Sequence, residues 1–304
     1  MKSALKVLVT GGSGFIGRHV VAALHSEGHH VVVADFNTFP DDQFVTVAGD
    51  LCDPEVRQRA ITSDLDAVVH LAAFTSVLRS VQQPAEVHAT NVEMTAGLLE
   101  RARVAGVETF VFASTNAVIG DVGQDTIVET MPSAPLTPYG GTKAAAEMLL
   151  SGYAGSFGMR CPVLRLTNVY GAGMGHKDSF VPRLMRAAAG GGEVEIYGDG
   201  EQRRDLVFVG DVARAMALAV LDWPSGPVII GGSRSYSVNT LTQAARDATG
   251  KPITARRVPA KPGEMPAVVV DIARARSRGF EPSVSLVEGM REVWVDFAPD
   301  DPPD

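Results

Sequence analysis

Tyr139 and Lys143 stand four residues apart in Pro138-Tyr139-Gly140-Gly141-Thr142-Lys143, which puts both side chains on one face of a helix. A phenol ordinarily loses its proton near pH ~10, and a neighbouring ammonium favours the phenolate. A pair so placed can remove the proton of an alcohol while hydride leaves the same carbon. The same spacing also occurs as an ordinary surface pair, so its weight depends on what surrounds it.

A second constellation lies at the start of the chain, where Val7-Leu8-Val9-Thr10 runs into Gly11-Gly12-Ser13-Gly14-Phe15-Ile16-Gly17. Glycine at 11 permits a tight turn out of a strand. At 14 it lets a pyrophosphate approach backbone N–H groups, and at 17 it lets the following helix pack on the strand. The helix start turns partial positive charge toward the phosphates. Asp35 ends the next β-branched run. A carboxylate there accepts hydrogen bonds from both hydroxyls of an adenosine ribose and repels a 2′-phosphate, which selects NAD over NADP. The plainer alternative is that Asp35 opens a turn before Phe36-Asn37.

These residues need a sheet edge to converge on. Short apolar runs at 6–10, 30–34, 44–48, 67–71, 109–113 and 162–166 read as strands covered on both faces. Helical patterns at 15–26, 54–62, 87–105 and 139–157 fall between them, which predicts a Rossmann-type doubly wound parallel sheet of the α/β class. After residue 168 glycines loosen the pattern. A helix is expected over 179–189, a strand over 194–197 and a helix over 211–221. The expected division is a nucleotide-binding domain over 1–167, with 205–222 returning to it. A smaller C-terminal substrate-binding lobe takes 168–204 and 223–297, and 298–304 form an acidic, proline-rich tail.

Composition agrees with a globular protein of one large domain or two small ones. The 304 residues are 45% apolar and 20% charged, with a net charge of −8. No Lys/Arg run suits nucleic acid, and no stretch of about 18 apolar residues suits a membrane span. The two cysteines, Cys52 and Cys161, share no metal-ligand or redox spacing, so no metal site is expected and both read as reduced thiols. The start of the chain shows no targeting segment, and a cytoplasmic location is expected.

The Gly-x-x-Gly-x-x-Gly spacing of Thr10–Gly17 resembles the fingerprint of the extended short-chain dehydrogenase/reductase family, and later segments resemble that family in order. Gly49-Asp50-Leu51 resembles its adenine-contacting Asp-Leu, and His70-Leu71-Ala72-Ala73 the fourth-strand motif whose backbone lies along the cofactor. Asn91-Val92 resembles the helix asparagine that steadies the active site. Singly these have plainer readings: Asp50 as a helix cap, 71–73 as core. Ser114-Thr115-Asn116-Ala117-Val118-Ile119-Gly120 resembles the family's Ser-Ser/Thr-x-x-Val-Tyr-Gly segment. The match makes Thr115 the hydroxyl that shares the substrate proton with Tyr139, and Ser114 its support beside the cofactor. The alternative is that both hydroxyls only satisfy backbone groups. The resemblance gives Lys143 a second role, bonding the nicotinamide ribose.

At the other end, Arg165-Leu166-Thr167-Asn168-Val169-Tyr170-Gly171 resembles the segment after the sixth strand, implying Thr167 beside the nicotinamide and Asn168 on the substrate diphosphate. Ile196-Tyr197-Gly198-Asp199-Gly200-Glu201-Gln202-Arg203-Arg204-Asp205 resembles the stretch that holds nucleotide sugars, with Tyr197 on the substrate and Arg204 clamping diphosphate bidentately. Lys261-Pro262-Gly263-Glu264 resembles an Arg-x-Gly-Asp/Glu element, implying Lys261 on phosphate and Glu264 on the nucleoside ribose.

The resemblance falls in the NAD-dependent epimerase/dehydratase branch, nearest its nucleotide-sugar 4-epimerases. It implies inversion at C4 through a 4-keto sugar with NAD retained, and a homodimer built on the helices at 87–105 and 139–157. Asn116 and Ala117 stand where related dehydratases carry Asp-Glu, and neither can do acid/base work, which disfavours dehydration. Two other readings remain: a net dehydrogenase of a sugar or polyol on the same fold, and a non-catalytic NAD-binding protein.

Overall fold

A computed structural model describes residues 4–190, 192–259 and 267–298. In chain order the first half runs β1 (Lys6–Thr10), α1 (Phe15–Ser26), β2 (His30–Asp35), β3 (Val45–Ala48), α2 (Pro54–Ala60) and β4 (Ala67–His70). It continues with α3 (Val77–Gln82), α4 (Pro84–His88), a π turn (Ala89–Glu93), α5 (Met94–Ala105), β5 (Thr109–Thr115), β6 (Thr126–Ile127), α6 (Pro138–Phe157) and β7 (Pro162–Leu166). The second half holds β8 (Asn168–Tyr170), α7 (Phe180–Gly190), β9 (Glu193–Tyr197), β10 (Arg203–Phe208), α8 (Val209–Asp222) and β11 (Gly226–Ile230). Last come β12 (Ser235–Ser237), α9 (Val238–Thr249), β13 (Thr254–Val258), β14 (Val269–Val270), α10 (Ala273–Arg276) and α11 (Leu286–Trp294).

Seven strands form one sheet in the order β11-β7-β5-β4-β1-β2-β3, every neighbouring pair parallel. The chain reverses its direction of growth between β1 and β4, and the crevice beyond the strand ends at such a reversal is where α/β sheets place ligands. Alternate side chains explain the missing polar face. Val7 and Val9 of β1, with Val69 and Val111, pack under α1 and α8, while Leu8, Val68, Phe110 and Phe112 pack under α2, α5 and α6. Each fully buried Val, Leu or Phe contributes about 1.5–3 kcal/mol, so a one-residue slip of any strand is costly.

The strand at 226–230, within the span expected for the C-terminal lobe, belongs to this sheet. It closes the sheet beside β7, pairing Val228 with Leu164 and Ile230 with Leu166. The long helix expected over 87–105 runs unbroken but carries a π turn at 89–93. The π turn inserts an extra residue into the ladder, and Asn91 within it is buried.

The remaining strands are small sheets around the crevice: β12-β10-β8, β13-β9 and β14-β6. Of these, β8, β9 and β10 pack with α7, α9 and α11 around a second core that includes Leu184, Met185, Leu241, Met290 and Trp294, while Ile127 of β6 and Val270 of β14 join the core of the main sheet.

Candidate active site

The glycine loop is shaped by contacts that only glycine tolerates. Gly11 takes φ +71°, and a Cβ there would meet the Ala72 backbone nitrogen at 2.7 Å. A Cβ on Gly17 would lie 2.1 Å from the Gly11 carbonyl oxygen, so α1 seats directly on the turn. Gly14 is the N-cap of α1 and offers no side chain to its open N–H groups. Asp35 closes the loop from the next strand: its Oδ2 accepts from the Ser13 N–H at 3.1 Å and its Oδ1 from the Asn37 N–H at 3.1 Å. A bare helix start facing a carboxylate at the tip of β2 fits the pyrophosphate and ribose of NAD.

Other residues expected at the cofactor divide by what their side chains touch. Phe15 packs into the core of the lobe and Leu51 into the sheet core. Ile16, Leu71, Ala72 and Ala73 are partly buried. Asp50 is exposed and turns Oδ1 to the Cys52 N–H, while Asp53 is the residue that caps α2.

Tyr139 and Lys143 sit in the first two turns of α6, started by Thr137, whose hydroxyl accepts from the Gly140 N–H at 3.3 Å, and by Pro138. Lys143 is 3% exposed; its ammonium donates to the Ala113 carbonyl at 2.9 Å and lies 4.5 Å from the Phe112 ring centre. Burial brings it down to about 7, with Glu147 pulling the other way. Burial pushes the Tyr139 phenol up to about 12, and a side-chain hydrogen bond with Thr115 opposes that rise. Thr115 also accepts from the Ala117 N–H at 3.2 Å, so its hydroxyl serves the backbone and faces Tyr139 at once. Ser114 is turned away from this cluster: its hydroxyl donates to Glu147 at 2.5 Å.

A buried relay joins the two constellations. Asn91 accepts from the Phe74 N–H at 2.8 Å and donates to the Thr142 hydroxyl at 3.1 Å; Thr142 in turn donates to the Tyr139 carbonyl at 2.9 Å. Thr95 donates to the Asn91 carbonyl at 2.7 Å, so it accepts from His70 Nε2–H at 3.0 Å. His70 Nδ1 then accepts from Thr10, one residue before the glycine loop, at 2.7 Å. Burial, and the charge of Lys143, hold His70 down at about 3, so it is neutral here. The motifs that contain His70 and Thr10 carry no sign of this use of their side chains, because a His-Thr relay between distant segments leaves no spacing to read.

The substrate side is a cleft of about 240 Å³ between β8, β9, β10 and α7, lined by Asn168, Tyr197 and Arg204 among others. Asn168 is held by Nδ2 on the Asp205 carbonyl at 2.9 Å. Thr167 donates to Asp205 Oδ1 at 2.7 Å, which the Gly232 N–H joins at 2.8 Å. Burial raises the Asp205 carboxyl to about 6, and its Oδ2 has no partner among the described residues. Lys261 and Glu264 lie outside the described residues.

A parallel sheet of this order, a glycine loop closed by a carboxylate and a Tyr/Lys/Thr cluster at the crevice define a dinucleotide-dependent short-chain dehydrogenase/reductase site. The chain belongs to the NAD dependent epimerase/dehydratase family, which it matches over residues 7–231. It is similar to the UDP-glucose 4-epimerase of Thermotoga maritima crystallised with UDP-glucose: 33% identical, TM-score 0.91, covering 97% of this chain and 99% of that one. The UDP-glucose 4-epimerase of Thermus thermophilus, in complex with NAD, is also 33% identical, with TM-score 0.89 over 98% of this chain and 100% of that one. A dTDP-glucose 4,6-dehydratase of Streptomyces niveus is 31% identical over 309 residues, 95% of this chain and 91% of that one. Identity alone therefore does not separate the two chemistries.

Proposed function

We propose that this chain is an NAD-dependent epimerase of a nucleotide-diphosphate sugar, inverting C4 through a transient 4-keto sugar. The observation that carries the reading is the wall at the end of β5. Thr115 contacts Tyr139 there, Lys143 is anchored behind them at Ala113, and the next two residues, Asn116 and Ala117, have no titratable group for eliminating water. Bound NAD supplies the hydride acceptor, and then the donor, at C4. Tyr139 takes the C4 hydroxyl proton, with Thr115 hydrogen-bonded to the same oxygen and the Lys143 ammonium favouring the phenolate. Asn168, Tyr197 and Arg204 hold the nucleoside diphosphate while the freed 4-keto sugar turns over, and Tyr139 returns its proton on the opposite stereochemical course. Both solved relatives named above support uridine as the base.

The division into nucleotide domain and substrate lobe, and the contacts of Lys261 and Glu264, belong to the same reading. So does a homodimer through α5 and α6, which leave Val104 and Met148 60% and 63% exposed. Light scattering of the purified protein returns twice the chain mass if this holds. The two cysteines are free, which suits a reducing cytoplasm. No helix among the described residues is long and apolar enough to cross a membrane.

The test is a panel of UDP-, dTDP-, GDP- and CDP-sugars with product stereochemistry followed by NMR and NADH by absorbance. Conversion of one sugar to its C4 epimer without added NAD, abolished in Tyr139→Phe, is the expected result. Stoichiometric NADH without epimer makes the protein a net dehydrogenase instead.

A further inference from the structure

Glu147 lies in the buried wall behind Tyr139 and is not among the residues so far given a part in the reaction. It is 4% exposed and follows Lys143 by one helical turn on α6. Its Oε1 accepts the Ser114 hydroxyl at 2.5 Å and its Oε2 accepts Arg165 Nη2, of β7, at 2.7 Å. Arg165 is itself 4% exposed, and its Nη1 donates to the Glu129 carbonyl at 3.2 Å. Glu129 ties in β11 through the Ile229 N–H at 3.0 Å. A buried ion pair adds little stability over well-packed apolar side chains, so its cost calls for another use. This pair borders the reacting groups on two sides: Ser114 precedes Thr115 on β5, and Lys143 shares the helix face with Glu147.

We propose that Glu147 is a positioning residue of the reaction: through Ser114 it fixes the end of β5 that carries Thr115, and across one helical turn it supplies the counter-charge of Lys143. The inference rests on the proposed use of Tyr139, Thr115 and Lys143. The groups around the Lys143 ammonium are few. On its own helix they are Tyr139 and Glu147; from β4 comes His70, which is neutral, and from β5 the Ala113 carbonyl and the Phe112 ring. Arg165 faces Glu147 from β7. Glu147 is the anion opposing the loss of the Lys143 proton on burial, and with it in place that group comes down to about 7. Without it the ammonium gives up its proton at lower pH, and Tyr139 loses its cationic neighbour over the alkaline part of the working range.

Charge and position separate by mutation. Glu147→Gln is expected to lower kcat by ~10- to 100-fold. The loss should deepen as pH rises, with the alkaline limb of the profile about one pH unit lower. Ser114→Ala keeps the charge and releases β5, so kcat falls alike at every pH. Glu147→Asp restores the alkaline limb without restoring the rate.

The readout that does not depend on turnover is a 15N NMR titration of the Lys143 side chain, assigned with Lys143→Arg. Its midpoint is expected near 7 in the native protein, about one pH unit lower in Glu147→Gln, and unmoved in Ser114→Ala. Should Glu147→Gln fail to fold, Glu147→Gln/Arg165→Met removes both buried charges together and is read the same way. An unmoved Lys143 midpoint in the glutamine variant, or a rate loss uniform with pH, overturns the proposal and leaves the pair a core strut. If the midpoint moves while no sugar is epimerised, the electrostatic role stands and the epimerase reading fails.

Discussion

The two ends of the crevice are built differently. At the nucleotide end the fit is made by backbone: Gly11 and Gly17 sit where any Cβ would strike main-chain atoms, and Asp35 is pinned by two N–H groups. At the sugar end the fit is made by side chains from separate segments, with Asn168 on β8, Tyr197 on β9 and Arg204 on β10 around one cleft. Backbone fits are unforgiving and leave fixed spacings in a sequence. Side-chain fits are adjustable, which is how one fold comes to accept different sugars.

Mutation can break or sharpen this contrast. The largest effect is expected at the nucleotide end. Gly17→Ala forces a methyl against the Gly11 carbonyl, 2.1 Å away, and separates α1 from the turn. We expect a loss of about 3 kcal/mol or more, with NAD content, read by chromatography of the denatured protein, falling at least ~10-fold. A retained full complement of NAD would show that the turn is more pliable than its contacts imply.

The relay below that turn sets a pH limit. A histidine held down at about 3 stays unprotonated in the fold while the unfolded chain takes up a proton near 6.5. Its contribution to stability is complete above pH ~6.5 and is lost as pH falls toward ~3, reaching about 3 kcal/mol by pH ~4. Urea unfolding at a series of pH values checks this; His70→Gln should flatten that part of the curve.

At the sugar end Arg204→Ala should raise KM ~10- to 100-fold, the value of one or two charge-assisted hydrogen bonds, with NAD content unchanged. Loss of NAD in this variant would mean that the two ends are not separable. The smallest effect is expected at the ribose carboxylate. Asp35→Asn removes the charge that repels a 2′-phosphate but keeps an acceptor, so the preference for NAD over NADP should fall by about tenfold, measured by competitive binding.

The same contrast explains what could be read from sequence. The strands at 6–10 and 162–166 fall where the β-branched runs place them, and β2, β4 and β5 differ by one or two residues at their ends. Tyr139, Lys143 and Thr115 come together as their spacing and family resemblance imply. Three things were not legible. The strand Gly226–Ile230 opens on Gly226-Pro227, which leaves an apolar run of three residues, too short to stand out as a sheet strand. The π turn that buries Asn91 leaves no trace in a pattern read at a 3.6-residue period. The hydrogen bond from the Ser114 hydroxyl to Glu147 joins β5 to α6 across 33 residues, and no motif spells it out.

The central claim is that hydride leaves and returns at one carbon within one enzyme-bound complex. The direct measurement uses a UDP-hexose carrying deuterium at C4, incubated with the purified protein and an excess of free NAD, and followed by NMR. The account predicts an inverted C4 that keeps its deuterium, with none in the free cofactor pool or the solvent. Deuterium in free NADH, or a product that has lost its C6 hydroxyl, would contradict it.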